Sequence, residues 1–184
     1  EAGYEIFEDS NGFKQDGFGT FDVTIDGGKR QSVARAYLEE VKNYNNLRVK
    51  HKTDVSKIIF KDKKAIGVEV KNNNKTEVYY CNKEIILSAG SINSPKILQL
   101  SGVGDPKLLK QNNIEVIHEL PGVGQNLQDH LEIYIQHKSK TTDTLYNLST
   151  NYFKQAIEGM KWFLLKQGML TYSHLELGGF VKTS

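Results

Sequence analysis

Ala89-Gly90-Ser91-Ile92-Asn93-Ser94-Pro95-Lys96-Ile97-Leu98-Gln99-Leu100-Ser101-Gly102-Val103-Gly104 follows directly on Glu84-Ile85-Ile86-Leu87-Ser88. This junction decides the fold. The apolar run at 84–88 reads as a short buried strand. A strand that runs into Ala-Gly and then a helix brings backbone N–H groups close to a dinucleotide in α/β folds. Gly90 has no Cβ, so backbone can pass close to a ligand there. Ser94 is a natural N-cap and Pro95 a natural first helical residue, which predicts a helix over 95–101. Ile97, Leu98 and Leu100 give that helix an apolar side, and Gly102 stops it.

A chain of 184 residues is long enough for a sizeable core. Lys and Arg total 24 against 22 acidic residues. The basic residues are scattered, so nothing in the charge pattern points to nucleic acid. Cys81 is the single cysteine, which excludes a disulfide framework within the chain. The histidines at 51, 118, 130, 137 and 174 never fall at a zinc-ligand spacing, so no metal site is expected. No apolar stretch approaches the roughly 20 residues needed to span a bilayer, and no signal peptide is visible. Glu1 stands where a Met would, and the sequence stops just after Gly178-Gly179-Phe180-Val181. The expectation is an internal piece of a longer protein.

Outward from the junction, residues 1–25 read as loop followed by a short strand, and Asp26-Gly27-Gly28 as a turn. From Ser32, a possible N-cap, to about Tyr44 the apolar residues recur at helical steps. Strands are expected from Leu47 to Val49, Val55 to Phe60, Ala65 to Val70 and Thr76 to Cys81. The turns between the last three fall at Lys61-Asp62-Lys63-Lys64 and Asn72-Asn73-Asn74. These form an antiparallel meander that feeds the run at 84–88. Beyond the central helix, Asp105-Pro106 opens a short helix, and Ile114, Val116 and Ile117 make a short strand. Leu131 to His137 alternates apolar and polar as a half-buried strand does. Residues 138–148 read as loop, and 152–166 as a helix ended by Gly168.

The run at 89–104 resembles the second signature of the glucose–methanol–choline family of flavin oxidoreductases. The block Leu120-Pro121-Gly122-Val123-Gly124-Gln125-Asn126-Leu127-Gln128-Asp129-His130 is similar to the family's next landmark, in the family's order and spacing. Gly122 and Gly124 do not make a G-x-G-x-x-G loop, because position 127 is Leu. Ser32-Val33-Ala34-Arg35-Ala36-Tyr37-Leu38 and His174-Leu175-Glu176-Leu177-Gly178-Gly179-Phe180 extend the resemblance over nearly the whole chain. No mechanism attaches to His174 or Glu176.

The resemblance implies an α/β fold. It would be part of an FAD-binding Rossmann-like domain with an antiparallel β-meander, plus the start of a substrate-binding domain. Residues 1–25 would lie at the domain junction, 26–130 in the FAD-binding domain and 131–184 in the substrate-binding domain. It implies FAD as cofactor, bordered by Ala89, Gly90 and Ser91, by the backbone of Val55 at the adenine end, and by Asn126, Asp129 and His130. A plain core valine at Val55 and a rigid turn capped by Asp129 are the structural alternatives. The stretch 126–136 resembles the choline-oxidising branch. There, an acid at the position of Glu132 meets the substrate's quaternary ammonium, and Tyr134 adds a ring. An exposed strand glutamate is the alternative. The family's catalytic His and Asn lie C-terminal to these residues, so no catalytic residue is expected in this chain. Alternative readings are a dehydrogenase for an uncharged alcohol, or a non-catalytic binding or scaffold module. The electron acceptor stays unknown. The resemblance allows an intracellular or membrane-associated protein, and no residue here demonstrates either.

Overall fold

The computed structural model describes residues 3–72, 75–141, 144–171, 175 and 177–182. In chain order the strands are β1 (Gly17–Thr20), β2 (Ile25–Asp26), β3 (Lys29–Arg30), β4 (Asp54–Lys61), β5 (Lys64–Asn72), β6 (Lys75–Tyr80), β7 (Val103–Gly104), β8 (His118–Glu119) and β9 (Leu177–Phe180). The α-helices are α1 (Glu39–Val41), α2 (Gly90–Leu100), α3 (Pro106–Gln111), α4 (Leu145–Ser149) and α5 (Tyr152–Leu165). The chain divides into two compact units, Val49–Tyr134 on one side and Glu1–Arg48 with Ile135–Ser184 on the other. Within the latter unit β1 pairs antiparallel with β9.

The meander organises the unit Val49–Tyr134. β4, β5 and β6 lie side by side in that order, all antiparallel. The turn at 61–64 forms as expected, with Asp62 and Lys63 both at positive φ (49° and 64°). That is the backbone of a type I′ hairpin turn, whose twist matches the flanking strands. Asn72 pairs with Lys75 across the next turn. Asn73 and Asn74 lie outside the described residues, as do His174 and Glu176. α2 packs on β4. Ile58, Val70, Ile97, Val103, Leu109 and Val123 are buried in this unit. Each such side chain contributes ~1.5–3 kcal/mol by leaving water.

A buried hydroxyl ties the sheet to the helix. The N–H of Ile58 donates to Ser101 Oγ at 2.7 Å, and that hydroxyl donates to the carbonyl of Ile97. Gly102 then ends the helix at φ +84°, where a Cβ would stand 2.4 Å from the carbonyl oxygen of Glu115. Only glycine meets both demands. α3 starts as expected, with Asp105 accepting from the N–H of Lys107 at 2.8 Å and Pro106 at its first position.

Several elements differ from the sequence-based expectation. α2 begins at Gly90, so Ser94 and Pro95 lie inside it. Ala89 takes the N-cap position instead, and Ser94, from inside the helix, accepts from the N–H of Ala89 through its Oγ at 3.0 Å. Pro95, the sixth helical residue, has no N–H to donate to the carbonyl of Ser91, so the helix forgoes that bond. Residues 84–88 pair with no strand among the described residues, and Ile86 is 79% exposed. A ladder needs a second segment alongside, and none runs there. The same holds for Leu131 to His137, where Leu131 is 92% exposed. Residues 47–49 are likewise unpaired. The strand expected at 114–117 pairs slightly later, at β8, parallel to β7.

In the other unit, β2 and β3 form a hairpin on Gly27 and Gly28, both at positive φ. Ser32 acts as a cap, accepting from the N–H of Arg35 at 3.3 Å. A π-helical segment, Ala34–Leu38, continues as α1. α4 occupies a stretch read as loop, capped by Thr144. α5 is capped by Asn151 and ends at Lys166 in the left-handed conformation, not at Gly168. Trp162 Nε1 donates to the carbonyl of Gly28 at 2.8 Å and ties α5 to the hairpin. Glu158 accepts from the N–H of Met169 at 2.9 Å and from Lys161 at 2.6 Å. Those two bonds hold its carboxyl below the ordinary range, the Lys161 bond most.

Candidate functional site

The start of α2 is exposed backbone. Gly90 adopts φ +85°, and a Cβ built on it would meet no heavy atom within 4 Å. The bend is therefore open to a ligand rather than packed by side chains. The first N–H groups of a helix have no intrahelical acceptor, so they present partial positive charge outward.

A groove of about 590 Å³ lies along the same helix. Ser91, Ile92, Pro95, Lys96 and Gln99 form one wall, and residues 124–128 form the other. The loop is held in place by Gln99, whose Nε2 donates to the carbonyl of Val123 at 3.1 Å. Gly124 (φ +79°) and Asn126 (φ +58°) are both left-handed, which turns the loop back along the helix. The groove combines amide and hydroxyl groups with one ammonium, at Lys96.

Of the expected cofactor contacts, Ser91 and Asn126 face each other across this groove, and Ala89 and Gly90 precede Ser91 at the open bend. Val55 pairs with Val70 on β4 and is 39% exposed, so it is not packed in the core. Asp129 Oδ1 accepts from the N–H of His130 at 2.8 Å, a local cap. Val55, Asp129, His130, Glu132 and Tyr134 do not line the groove. Glu132 and Tyr134 meet each other instead: the Tyr134 hydroxyl donates to Glu132 Oε2 at 2.6 Å. That bond, and a lesser contribution from desolvation, raises the Tyr134 phenol above its ordinary value.

Sequence reasoning missed Lys96, Gln99 and Gly124. Ile92, Pro95, Lys96 and Gln99 recur at three- and four-residue steps, so a shared face was legible in the spacing. The partner loop was not, because nothing local couples residue 99 to residue 123. Among the described residues no group of three or more His, Cys, Asp or Glu side chains is placed to hold a metal. Nor is any helix there long and apolar enough to cross a membrane.

The family model for GMC oxidoreductases matches residues 1–132. The chain therefore belongs to the GMC oxidoreductase family. It is 46% identical over 183 residues to the mitochondrial choline dehydrogenase of Homo sapiens, covering 100% of this chain and 31% of that protein. The oxygen-dependent choline dehydrogenase of Photobacterium profundum is 42% identical over 183 residues, covering 100% and 32%. The chain thus spans less than a third of the length of these relatives. Among solved structures, an FAD-dependent oxidoreductase from Chaetomium thermophilum superposes with a TM-score of 0.84 at 36% identity, covering 92% of this chain and 30% of that one. The formate oxidase of Aspergillus oryzae RIB40 gives a TM-score of 0.85 at 25% identity, covering 98% and 31%. The α/β fold class expected from the sequence is borne out.

Proposed function

We propose that this chain is the central part of an FAD-dependent choline dehydrogenase, which oxidises choline to betaine aldehyde. The identity of 42–46% across the whole chain to proteins named choline dehydrogenase carries this reading. The open bend at Gly90 and the groove beside it fit an extended dinucleotide, since backbone donors are exposed where a side chain would otherwise stand. In this reading Ala89, Gly90 and Ser91 offer backbone to the cofactor, and Asn126 borders it from the facing loop. Val55 offers backbone at the adenine end, and Asp129 and His130 border the flavin next to the substrate cavity. Residues 26–130 belong to the FAD-binding domain and 131–184 to the substrate-binding domain, with 1–25 at their junction. Bound FAD supplies the hydride acceptor.

Glu132 gives the substrate its charge partner. Choline's ammonium has no N–H, so it is held by Coulomb attraction and aromatic faces rather than by hydrogen bonds. The proton acceptor for the hydroxyl comes from residues outside this chain.

The test uses the full-length protein. Without oxygen or any acceptor choline should bleach the bound flavin's absorbance, and KM is then read in steady-state turnover with an artificial dye as electron acceptor, so that the natural one need not be known. Glu132→Gln should raise the KM for choline about tenfold or more, as loss of a charge-assisted contact does. An unchanged KM, with equal turnover of 3,3-dimethylbutan-1-ol, choline's uncharged isostere, would assign an uncharged alcohol instead. A purified protein with no flavin would assign a binding or scaffold module.

A further inference from the structure

The contact between Tyr134 and Glu132 gives Tyr134 a task other than that of an aromatic wall. The two side chains, two residues apart in the chain, touch each other. The phenol O–H donates to one carboxylate oxygen of Glu132, Oε2, at 2.6 Å. A carboxylate accepts on both oxygens, so Oε1 stays available. A quaternary ammonium cannot orient a carboxylate, because it has no hydrogen to donate to it. The orientation must come from the protein. Both residues lie on a segment with no ladder, and Tyr134 is 78% exposed, so the backbone around them fixes little.

We infer that Tyr134 is a positioning residue, whose phenol O–H clamps Glu132 Oε2 and leaves Oε1 aimed at a cationic alcohol. This deepens the choline dehydrogenase reading and rests on Glu132 as the ammonium partner. The clamp works only while the phenol keeps its proton. The same contact raises the Tyr134 phenol above its ordinary value of 10.0, so the clamp persists through neutral pH. Tyr134 would then set specificity for charge without touching the reacting carbon.

The experiment measures KM and kcat of the full-length flavin-loaded enzyme for choline and for 3,3-dimethylbutan-1-ol, with an artificial dye as electron acceptor. The variants are Tyr134→Phe, Tyr134→Leu, Glu132→Gln and the double variant Tyr134→Phe/Glu132→Gln. Tyr134→Phe should raise KM for choline about five- to tenfold, the scale of one lost hydrogen bond to a charged group. Its effect on kcat should be smaller, and KM for the neutral alcohol should shift about twofold or less. Tyr134→Leu should match Tyr134→Phe. In the Glu132→Gln background Tyr134→Phe should add nothing. Three results would overturn this inference alone. In the first, Tyr134→Phe raises KM for both alcohols alike, which is general packing. In the second, Tyr134→Phe has no effect while Tyr134→Leu damages choline binding, which restores the aromatic wall. In the third, Tyr134→Phe is silent while Glu132→Gln is not, which leaves the Glu132 reading standing and removes this one. An unchanged choline KM in Glu132→Gln removes both.

Discussion

The meander with α2 and the later stretch 131–137 both carry strand-like sequence, yet they are held in opposite ways. In the first, every strand has a neighbour, and the helix is pinned to the sheet through Ser101. In the second, the described residues form no ladder, and Leu131, Ile133 and Ile135 are each at least 79% exposed. Both carry apolar residues in strand-like order. The difference is supply of partners. A strand is a relation between two segments, so alternation announces which face wants burial without providing the cover. The region proposed to hold the cofactor builds its own support, while the region proposed to meet the substrate does not.

The contrast is broken or sharpened by substitution. Leu109 is 1% exposed, so Leu109→Ala should cost ~2–5 kcal/mol, read as a fall in the unfolding midpoint of the full-length protein. A loss under ~1 kcal/mol would mean that this core is looser than its burial implies. Ser101→Ala strands the N–H of Ile58 in a buried place and should cost ~1–3 kcal/mol by the same measurement. A neutral result would show that β4 and α2 hold without the hydroxyl. Gly90→Ala meets open space but a strained φ, so its stability cost should stay near ~1–2 kcal/mol. Its flavin content, read by absorbance ratio, should fall more than that strain explains, because the new methyl stands where the cofactor is proposed to pass. Full flavin retention would contradict that placement. In the unpaired stretch, Ile133→Ala should change the stability of the 184-residue chain by less than ~0.5 kcal/mol. A larger loss would reveal packing there.

The smallest expected effect is a pH dependence in the other unit. Glu158 is held below its ordinary value of 4.5 by Lys161 and by the N–H of Met169. A depressed carboxyl stabilises the fold above its unfolded value, and this contribution fades as pH falls through the lower folded value. The wild-type midpoint should therefore drop slightly more than that of Glu158→Gln when pH is lowered from 5 toward 3. Parallel curves would show that solvent screens the contact completely.

What was legible follows the same division. The turn at Asp62-Lys63, the cap Asp105-Pro106 and the stop at Gly102 are local chemistry, and each forms where the residues indicate. The α2 start was misread because Ser94-Pro95 has the composition of a helix entrance. The true entrance at Gly90 lacks a side chain to announce it. The unpaired runs at 84–88 and 131–137 were misread because hydrophobic period records a need and not its satisfaction. For the candidate site, the open bend at Ala89-Gly90 and the pair Glu132 and Tyr134 were readable from the residues and the family resemblance. The groove wall opposite Ser91 was not, since it depends on one amide, Gln99, reaching a carbonyl 24 positions away.

The sheet has two rims with unequal protection. On β4 the outward N–H of Ile58 is plugged by Ser101, whereas β6 ends the sheet with all six of its residues exposed. That margin bears Val78, Tyr79 and Tyr80, with Lys50 laid over the Tyr79 ring, and its main chain is a template for a neighbouring molecule's. Anyone producing these 184 residues by themselves should meet self-association there before any loss of folding. A lysine introduced at Val78 or Tyr80 is the first remedy to try, ahead of any change to the interior.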